Sequence, residues 1–531
     1  MQTVSNAWKE NHQRTLVNEG FVEVSLDITD PDALSDASTT DNGAVYISNT
    51  AQVVSEVDKS IVPYLTLEQN MWVLDGTRKV VPNGDIEDCG YIGDVLSDSN
   101  CGYSGKIPTI TVSFSEVHNN IIPAITIVWG TAYDEYPEEF IITAYNGTNV
   151  VASKEVLGNH SVSSVVMMDI VGYDRITIQI KKWCLPNRRA RIHEIFIGLN
   201  KVFTKSDLFG YSHSQTVEPL STTLPKAEVS FSISNVDGEY NPFNTAGMAK
   251  YLMERQEVKT RYGLKHNDNS IEWIKGGTFY LSDWSASQNG LQAEFTARDL
   301  LEFMQNIYED GEYNADGVSL YDLALRVLTT ADLPLNSDGT IKWKIDDSLK
   351  NIYTTAPLPE DTLANCLQLI ANAGCCVLYQ DREGTLHIEP ITHEDADYEI
   401  SDFNSYSKSE ITLGKPVKQV SVAVYTYSVG EDGITAETVS NITTVGTTGD
   451  TITLDNPLIT DDNRAAIVGE WMADYYSRRM TIKSSWRADV RLDALDIISN
   501  PNDYSTNMVR VTNVEFDFKG AFHGTCEGRV I

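Results

Sequence analysis

The chain has 531 residues, with 75 acidic against 40 basic side chains and a formal net charge of −35. At about 100–200 residues per domain this length predicts roughly three or four domains, and 41% hydrophobic residues are enough to build their cores. The negative charge argues against direct binding of nucleic acid, which requires a basic face.

The seven cysteines are scattered and odd in number, which is not typical of a disulfide framework or of a metal site. A bridge between Cys89 and Cys101, which bracket one polar loop, stays open as an alternative to free thiols. The first residues lack a charged leader followed by an apolar core, and no apolar run reaches the roughly 18 residues of a membrane span. We therefore expect neither a secretory precursor nor a membrane-spanning protein.

The first 44 residues predict a short helix, a strand and a linker. The helix is expected at residues 4–13, and residues 21–30 alternate apolar and polar side chains as a half-buried strand does. Residues 31–43 are rich in Asp, Ser, Thr and Gly and predict a linker.

Residues 45–199 predict an antiparallel sandwich. Six short alternating runs follow one another without a convincing helix, at residues 109–114, 124–129, 139–145, 162–170, 175–180 and 190–198. With the run N-M-W-V-L-D-G-T at residues 70–77, this block resembles the galactose-binding-like jelly roll of discoidin and carbohydrate-binding modules. If strand 21–30 belongs to the sheet of the next domain, the jelly roll is an insertion.

Strands continue through residues 200–316. Residues 227–244 run from an alternating strand into a turn, and the oxygen-bearing residues Asp237, Glu239 and Asn241 favour that turn over a calcium loop. Two further strands are expected at residues 272–285 and 290–304, the second passing into a helix.

Helices concentrate in residues 317–396, which predict a small α+β domain. Ser319 is placed to cap one helix with Asp322, a second helix covers residues 359–372 and ends at Gly374, and a hairpin turns at residues 381–384. Residues 397–531 return to strands around one helix at 462–480. The apolar stripe of that helix is expected to contain Ile467, Trp471, Met472, Tyr475 and Tyr476.

Residues 1–30 and 200–531 resemble the tail hub family of tailed phages and phage-like particles. The matching motifs lie at 229–244, 273–304, 358–390 and 457–531. The resemblance implies a mainly β fold with α+β parts, in which β-barrel or sandwich hub domains carry an inserted antiparallel jelly roll. Its divisions are a first hub segment and linker (1–44), the inserted jelly roll (45–199), a hub β domain (200–316), an α+β hub domain (317–396) and a C-terminal hub β domain (397–531).

The same resemblance implies a structural virion protein of the tail tip or baseplate that is assembled in the host cytoplasm. The expected partners are two further copies in a homotrimer, the tail tube and distal tail proteins, and a tip, spike or tape-measure protein. Hub proteins often continue into a peptidase or lysozyme-like domain, and we expect any wall-degrading activity to belong to another chain.

No motif for catalysis, metal binding or a cofactor was found. The nine histidines form no H-x-x-x-H pair, and no nucleophile elbow, Walker A loop or Rossmann glycine set occurs. His193 lies in an alternating run and is expected to face outward. We therefore expect no enzyme activity, and no catalytic or metal-binding residue is nominated.

Host glycan is the one ligand for which residues can be nominated, because sugars stack on flat aromatic rings beside fixed polar groups. The candidates in the sandwich block are Trp72, Trp129, Tyr133, Trp183 and Arg188. Each aromatic taken alone is also compatible with a core position. The basic loop at residues 181–191 either meets phosphate-bearing wall polymers or neutralises the neighbouring acidic surface. The alternative from another class is a secreted glycan-active enzyme, or an adhesin, that carries a carbohydrate-binding module.

Overall fold

The protein is described by a computed structural model that covers residues 1–12, 14, 17–54, 63–80, 89–287, 290–335, 340–430, 433–501 and 504–531. Strands predominate over helices, so the predicted mainly β class is confirmed. The apolar side chains collect in three large cores.

The chain begins with α1 (Asn6–His12) and β1 (Gly20–Thr29). Ser5 precedes α1 and its hydroxyl accepts a hydrogen bond from the Trp8 backbone N–H at 3.2 Å, as helix-capping serines do. Residue 13 of the predicted helix lies outside the described residues. Strand β1 alternates buried and half-buried side chains, as its sequence pattern predicts.

The next block forms the inserted sandwich. Its elements are α2 (Pro31–Asp36), β2 (Ser38–Asp41), β3 (Tyr91–Leu96), β4 (Thr109–His118), β5 (Ile122–Val128), β6 (Pro137–Asn146), β7 (Asn149–Leu157), β8 (Ser163–Ile170), β9 (Tyr173–Trp183), β10 (Arg189–Ile192) and β11 (Glu194–Phe196). A five-stranded sheet, β2-β4-β9-β6-β7, is accompanied by the smaller sheets β11-β5-β8 and β10-β3. The stretch 70–77 is not a strand but a series of turns.

The predicted linker at residues 31–43 belongs to this sandwich. Asp30 caps α2, and Ser38–Asp41 pairs antiparallel with β4. Composition alone suggested a linker because turn-forming residues are common in both linkers and short edge elements. The sandwich therefore begins directly after β1.

The third block contributes β12 (Gly198–Phe203), β13 (Leu208–Thr216), β14 (Lys226–Ser234), β15 (Glu257–Lys265), β16 (Ile271–Ala286) and β17 (Gln292–Arg298). Strand β1 pairs with both β12 and β15 in one sheet. Strand 21–30 thus pairs in the sheet of this block, as an insertion would require, and the entry and exit points of the sandwich face each other where Thr29 pairs with Gly198.

The α+β block contains β18 (Val318–Ser319), α3 (Leu320–Thr330), β19 (Trp343–Ile345), β20 (Tyr353–Thr354), α4 (Leu363–Ala373), β21 (Val377–Gln380) and β22 (Leu386–Glu389). The Ser319 hydroxyl accepts from the Asp322 N–H at 3.0 Å, which confirms the predicted cap. Helix α4 is capped by Thr362 and ends at Gly374, and β21 and β22 form the expected hairpin.

The last block supplies β23 (Tyr398–Glu399), β24 (Glu410–Leu413), β25 (Val417–Gly430), β26 (Gly433–Thr444), β27 (Asp450–Leu454), α5 (Asp462–Ser477), β28 (Met480–Trp486), β29 (Ile497–Pro501), β30 (Thr506–Phe518) and β31 (Phe522–Val530). It does not fold as one unit. Strands β28 to β31 join the sheet of β1, whereas β25 and α5 pack into the core of the α+β block.

The large sheet runs in the order β12-β1-β15-β16-β17-β14-β13-β30-β31-β28-β24 and does not close on itself within the described residues. Of the two architectures expected for these β domains, an open sheet of a sandwich therefore fits better than a closed barrel. Arg382, in the predicted hairpin turn, ties the α+β block to this sheet. Its guanidinium is buried and donates to Asp493 at 2.7 Å and to the carbonyls of Lys275 and Val490.

Candidate functional site

The candidate site lies where a long loop folds over one end of the inserted sandwich. Residues 63–80 of that loop come back on themselves, because Tyr64 and Lys79 form an isolated bridge. Under the loop lie the turn after β5 and strand β10, and the Tyr133 hydroxyl of that turn donates to the Tyr64 carbonyl at 3.4 Å. Three segments that are distant in sequence thus meet here.

Two glutamates and two arginines form a buried charged cluster at this junction. The Arg188 Nε donates to Glu135 at 2.8 Å, and the Arg191 Nη2 donates to Glu68 at 2.5 Å. Arg191 also lies 3.6 Å from Glu135. Because burial of a lone charge is costly, the four groups stabilise one another as a set. Of the two interpretations of the basic loop, neutralisation of neighbouring acidic groups is the one that this geometry fits.

The Tyr133 ring contacts one arginine of this cluster and a second arginine from the loop. The Tyr133 ring has the guanidinium of Arg191 at 4.5 Å from its centroid and that of Arg78 at 5.0 Å. Both distances are within the range of a cation–π interaction. Burial raises the pKa of the Tyr133 hydroxyl, and the two arginines oppose that rise. Tyr133 therefore holds the loop onto the sandwich and is itself only half-buried.

Two of the nominated tryptophans are core residues, which corrects their expected role as sugar platforms. Trp129 and Trp183 are both 0% exposed. The Trp129 Nε1 donates to Ser164 at 2.8 Å and the Trp183 Nε1 donates to Glu135 at 2.9 Å. A ring that stacks on a sugar must offer an open face, and neither indole has one. Arg188 is also buried, so it cannot serve as a surface contact.

Trp72 remains as an exposed aromatic. Its side chain is 55% exposed and lies in the turn region of the loop that carries Glu68. The exposed side chains of Leu67 and Leu74 are close to it in sequence. Of the nominated residues, the structure therefore brings Tyr133 and Arg188 together at the charged cluster, places Trp129 and Trp183 in the core below, and leaves Trp72 outside.

His193 is buried, not outward-facing as the alternation predicted. Its Nδ1 lies 2.7 Å from the Thr131 hydroxyl. Burial, and then the neighbouring Arg191, lower the pKa of His193 to about 4. The irregular strands at residues 189–196 explain the miss, because consecutive side chains here are buried on both sides of the backbone.

Glu68 and Arg191 are the site residues that sequence reasoning missed. They are 123 positions apart and both nearly inaccessible to solvent. Arg191 was visible as part of the basic loop, but no local pattern indicated that Glu68 would be buried against it. Acidic residues are so numerous in this chain that one glutamate carries little information.

Among the described residues, no group of three or more His, Cys, Asp or Glu side chains is placed to hold a metal ion. In the same ranges, no helix is both long and apolar enough to cross a membrane. Cys89 and Cys101 are free thiols, so the alternative of a bridge between them is not realised.

No protein-family model matches the chain, and no curated protein matches it. Three solved structures are similar to it over 62% of its length. A tail protein from Neisseria meningitidis has 11% identity and a TM-score of 0.43, with 93% of that chain covered. A 43 kDa prophage MuSo2 tail protein from Shewanella oneidensis has 12% identity and a TM-score of 0.42, with 95% covered. A prophage tail protein from Listeria monocytogenes has 9% identity and a TM-score of 0.37, with 91% covered.

All three are tail proteins.

Proposed function

We propose that this chain is a structural subunit of the tail tip or baseplate of a phage or phage-like particle. In this proposal it forms the central hub, a homotrimeric ring that links the tail tube and distal tail proteins to the tip or spike. The hub motifs in the sequence support the assignment, as does a body built of scaffold strands into which a separate sandwich is inserted.

The observation that carries the proposal is the outward face of the hairpin formed by β25 and β26. Val420, Val422 and Val424 point into the core, while Val429, Ile434 and Ile442 are exposed on the hairpin. Strand β26 is at the edge of its sheet, and Glu437 is the one charged residue in its sequence. Long edges with little charge invite pairing with another chain, and exposed apolar patches mark contact surfaces.

Imaging of tail particles that contain this chain tests the hub assignment. We expect three copies around the tail axis, between the tube and the tip. A position away from the axis, or six copies in one ring, would refute the trimeric hub. The mass of the free protein is a weaker measurement, because a hub ring can require its neighbours to assemble.

A matched pair of variants tests the hairpin face. Ile442→Lys places a charge on a side chain that is 57% exposed, and Val150→Lys does the same on β7 of the sandwich at 58% exposure. Burial of a lone lysine against a neighbour is costly. We expect Ile442→Lys to abolish incorporation into particles and Val150→Lys to leave it unchanged. Equal incorporation of both variants would remove the hairpin as a contact surface.

For the inserted sandwich we propose contact with host cell-wall glycan through Trp72. The support is an exposed indole on a loop that the charged cluster holds in place. Binding of the full chain to purified peptidoglycan and to a glycan array is the measurement. We expect Trp72→Ala to lose binding and Phe209→Ala, on an exposed ring of the hub sheet, to keep it. Equal binding by wild type and Trp72→Ala would exclude Trp72 from the contact.

The alternative function is a secreted glycan-active enzyme or adhesin. A measurement of glycan hydrolysis distinguishes the enzyme from the structural role. Purified protein is incubated with peptidoglycan and polysaccharides, and released sugars are measured. We expect no release. Clear hydrolysis would overturn the structural assignment and would require a catalytic residue that the motifs do not indicate.

A further inference from the structure

A cavity outside the sandwich lies between α5 and the strands β30 and β31. We call it the α5–β30 cleft. Its volume is about 490 Å³, and its lining includes Trp471, Tyr475, Met508, Arg510 and Arg529. This volume falls within the roughly 300–1,000 Å³ of ordinary ligand pockets. The cleft is therefore large enough for a few side chains of a bound segment.

Arg510 enters the cleft without a carboxylate partner. Its guanidinium donates to the carbonyls of His393 at 2.6 Å and Leu495 at 3.3 Å. Across the described residues, no Asp or Glu oxygen lies within 4.0 Å of it, although Glu394 also lines the cleft. Burial lowers the pKa of Arg510, and the more distant Glu394 opposes that effect. Its guanidinium is thus held by backbone carbonyls, while Glu394 acts on it only from a distance.

Arg529 is in the same situation on the neighbouring strand. It donates to the carbonyls of Arg478 at 2.9 Å and Tyr475 at 3.3 Å, and its guanidinium lies 4.2 Å from the centre of the Tyr475 ring. Its Nε is buried and has no hydrogen-bond partner in the described part of the chain. A guanidinium has five N–H donors, so both arginines keep donors for an incoming acceptor.

The rest of the cleft lining is described by its apolar side chains and by an arginine whose charge is paired. Trp471, Met508 and Val530 supply hydrocarbon and aromatic surface. Arg478, the third arginine of the lining, is paired with Asp474 at 3.2 Å. A ligand that fits must therefore bring negative charge for Arg510 and Arg529 and apolar groups for the wall.

We propose that the α5–β30 cleft binds a short peptide segment of a partner protein in which an Asp or Glu side chain is flanked by apolar residues. The carboxylate accepts from Arg510 and Arg529, because planar guanidinium groups match carboxylate geometry. The apolar neighbours pack on Trp471 and Met508. This inference concerns residues other than those of the hairpin face and the sandwich, and it does not depend on the tail-hub proposal.

The test uses the full chain and a random heptapeptide display library. Peptides are selected on wild type, with depletion on the Arg510→Gln variant, and the enriched peptides are measured by fluorescence anisotropy. We expect enriched sequences to contain Asp or Glu between apolar residues. Their affinity is expected to fall at least tenfold with Arg510→Gln or Arg529→Gln and to stay unchanged with Arg326→Gln, an exposed arginine of α3.

Several outcomes would overturn the proposal. These are a lack of enrichment, enriched peptides without acidic residues, and binding that Arg510→Gln leaves unchanged. Self-association of the full chain that depends on Arg510 would make a second copy the occupant instead. Circular dichroism checks that each variant is folded, and if Arg529→Gln is not, Trp471→Ala replaces it and is expected to weaken the same peptides.

Discussion

At the scale of single residues, the large sheet that contains β13 and β15 has a buried polar network. The His213 Nδ1 and the Tyr211 hydroxyl each lie 2.8 Å from the Tyr262 hydroxyl. Because polar groups in a core must be paired, these residues hold β13 and β15 in one arrangement. Burial, and then the nearby Arg382, lower the pKa of His213 to about 3.

This shift predicts a loss of stability in acid. The ordinary pKa of histidine is about 6.5, so His213 binds a proton in the unfolded chain before it does so in the fold. Its contribution is complete above pH 6.5 and is lost as the pH falls towards 3, at about 1.4 kcal/mol per pH unit. Between pH 7.5 and about pH 4.5 we expect wild type to lose about 3 kcal/mol more stability to urea than His213→Gln does. His160→Gln, at an exposed histidine, is the control and should behave as wild type.

An equal pH dependence of wild type and His213→Gln would contradict the assignment of this loss to His213. The comparison is made between variants because carboxylates also titrate near pH 4 and their effect is common to all the proteins.

Residue roles that depend on distant partners are those that sequence reasoning missed. The turn around Arg382 was predicted, but its burial was not, because Asp493 lies 111 positions further along the chain. Trp129 and Trp183 were nominated as surface rings, since aromatic residues at strand ends are found both in binding loops and in cores. Local alternation reveals which face of a strand is apolar, but not what covers its ends.

At the scale of elements, the positions of most strands could be predicted from the sequence. The pairing of these strands into sheets could not. The runs at residues 109–114, 139–145 and 175–180 correspond to β4, β6 and β9. The edge strands β2, β3 and β7 were missed; β2 and β7 have no buried side chain, so their sequences lack the alternation of a half-buried strand. The division of residues 397–531 between two cores could not be predicted, since it depends on long-range pairing.

The buried face of helix α5 differs from the apolar stripe that its sequence predicts. Its buried residues are Ala465, Val468, Gly469 and Met472, whereas the nominated Ile467 is 51% exposed. The small residues Ala465 and Gly469 allow the helix to lie close to β25 and β26. A β-carbon built at Gly469 would lie 2.4 Å from the Thr443 Oγ1 and 3.7 Å from Val422. A pattern search for large apolar residues overlooks such a face.

We therefore predict opposite effects of Gly469→Ala in two backgrounds. In wild type the overlap with Thr443 should outweigh the roughly 1 kcal/mol that alanine gains over glycine in a helix, with a net cost of about 1–2 kcal/mol. In a Thr443→Ala background the contact is relieved and Gly469→Ala should stabilise. A double-mutant cycle from denaturant unfolding measures the coupling. Stabilisation in both backgrounds would show that the helix can shift away without cost.

At the scale of the whole molecule, the sandwich has its own core and contacts the large sheet block through specific polar side chains. The Tyr251 hydroxyl donates to Asp169 at 2.5 Å and the Lys250 amine lies 3.0 Å from the same carboxylate. The Thr126 hydroxyl donates to the Gly198 carbonyl at 3.1 Å. These contacts orient the sandwich, and apart from Ala124 the buried apolar side chains that cluster within it belong to clusters other than that of the large sheet.

We therefore predict that the sandwich can be deleted without unfolding the rest of the chain. Thr29 and Gly198 are paired neighbours on antiparallel strands, so a two-residue Asn-Gly turn can join them in place of residues 30–197. We expect the shortened chain to fold, with hydrogen-exchange protection in β1, β12 and β15 equal to that of the full chain, and to keep its place in tail particles. Binding of glycan, where the full chain has it, should be lost. The control is the full chain with Asp169→Ala. This variant loses the contacts of Asp169 with Tyr251 and Lys250 but keeps the sandwich. Aggregation of the shortened chain, or loss of hydrogen-exchange protection in β1, while the control is folded would contradict this prediction. The sandwich would then be needed for the rest of the chain to fold.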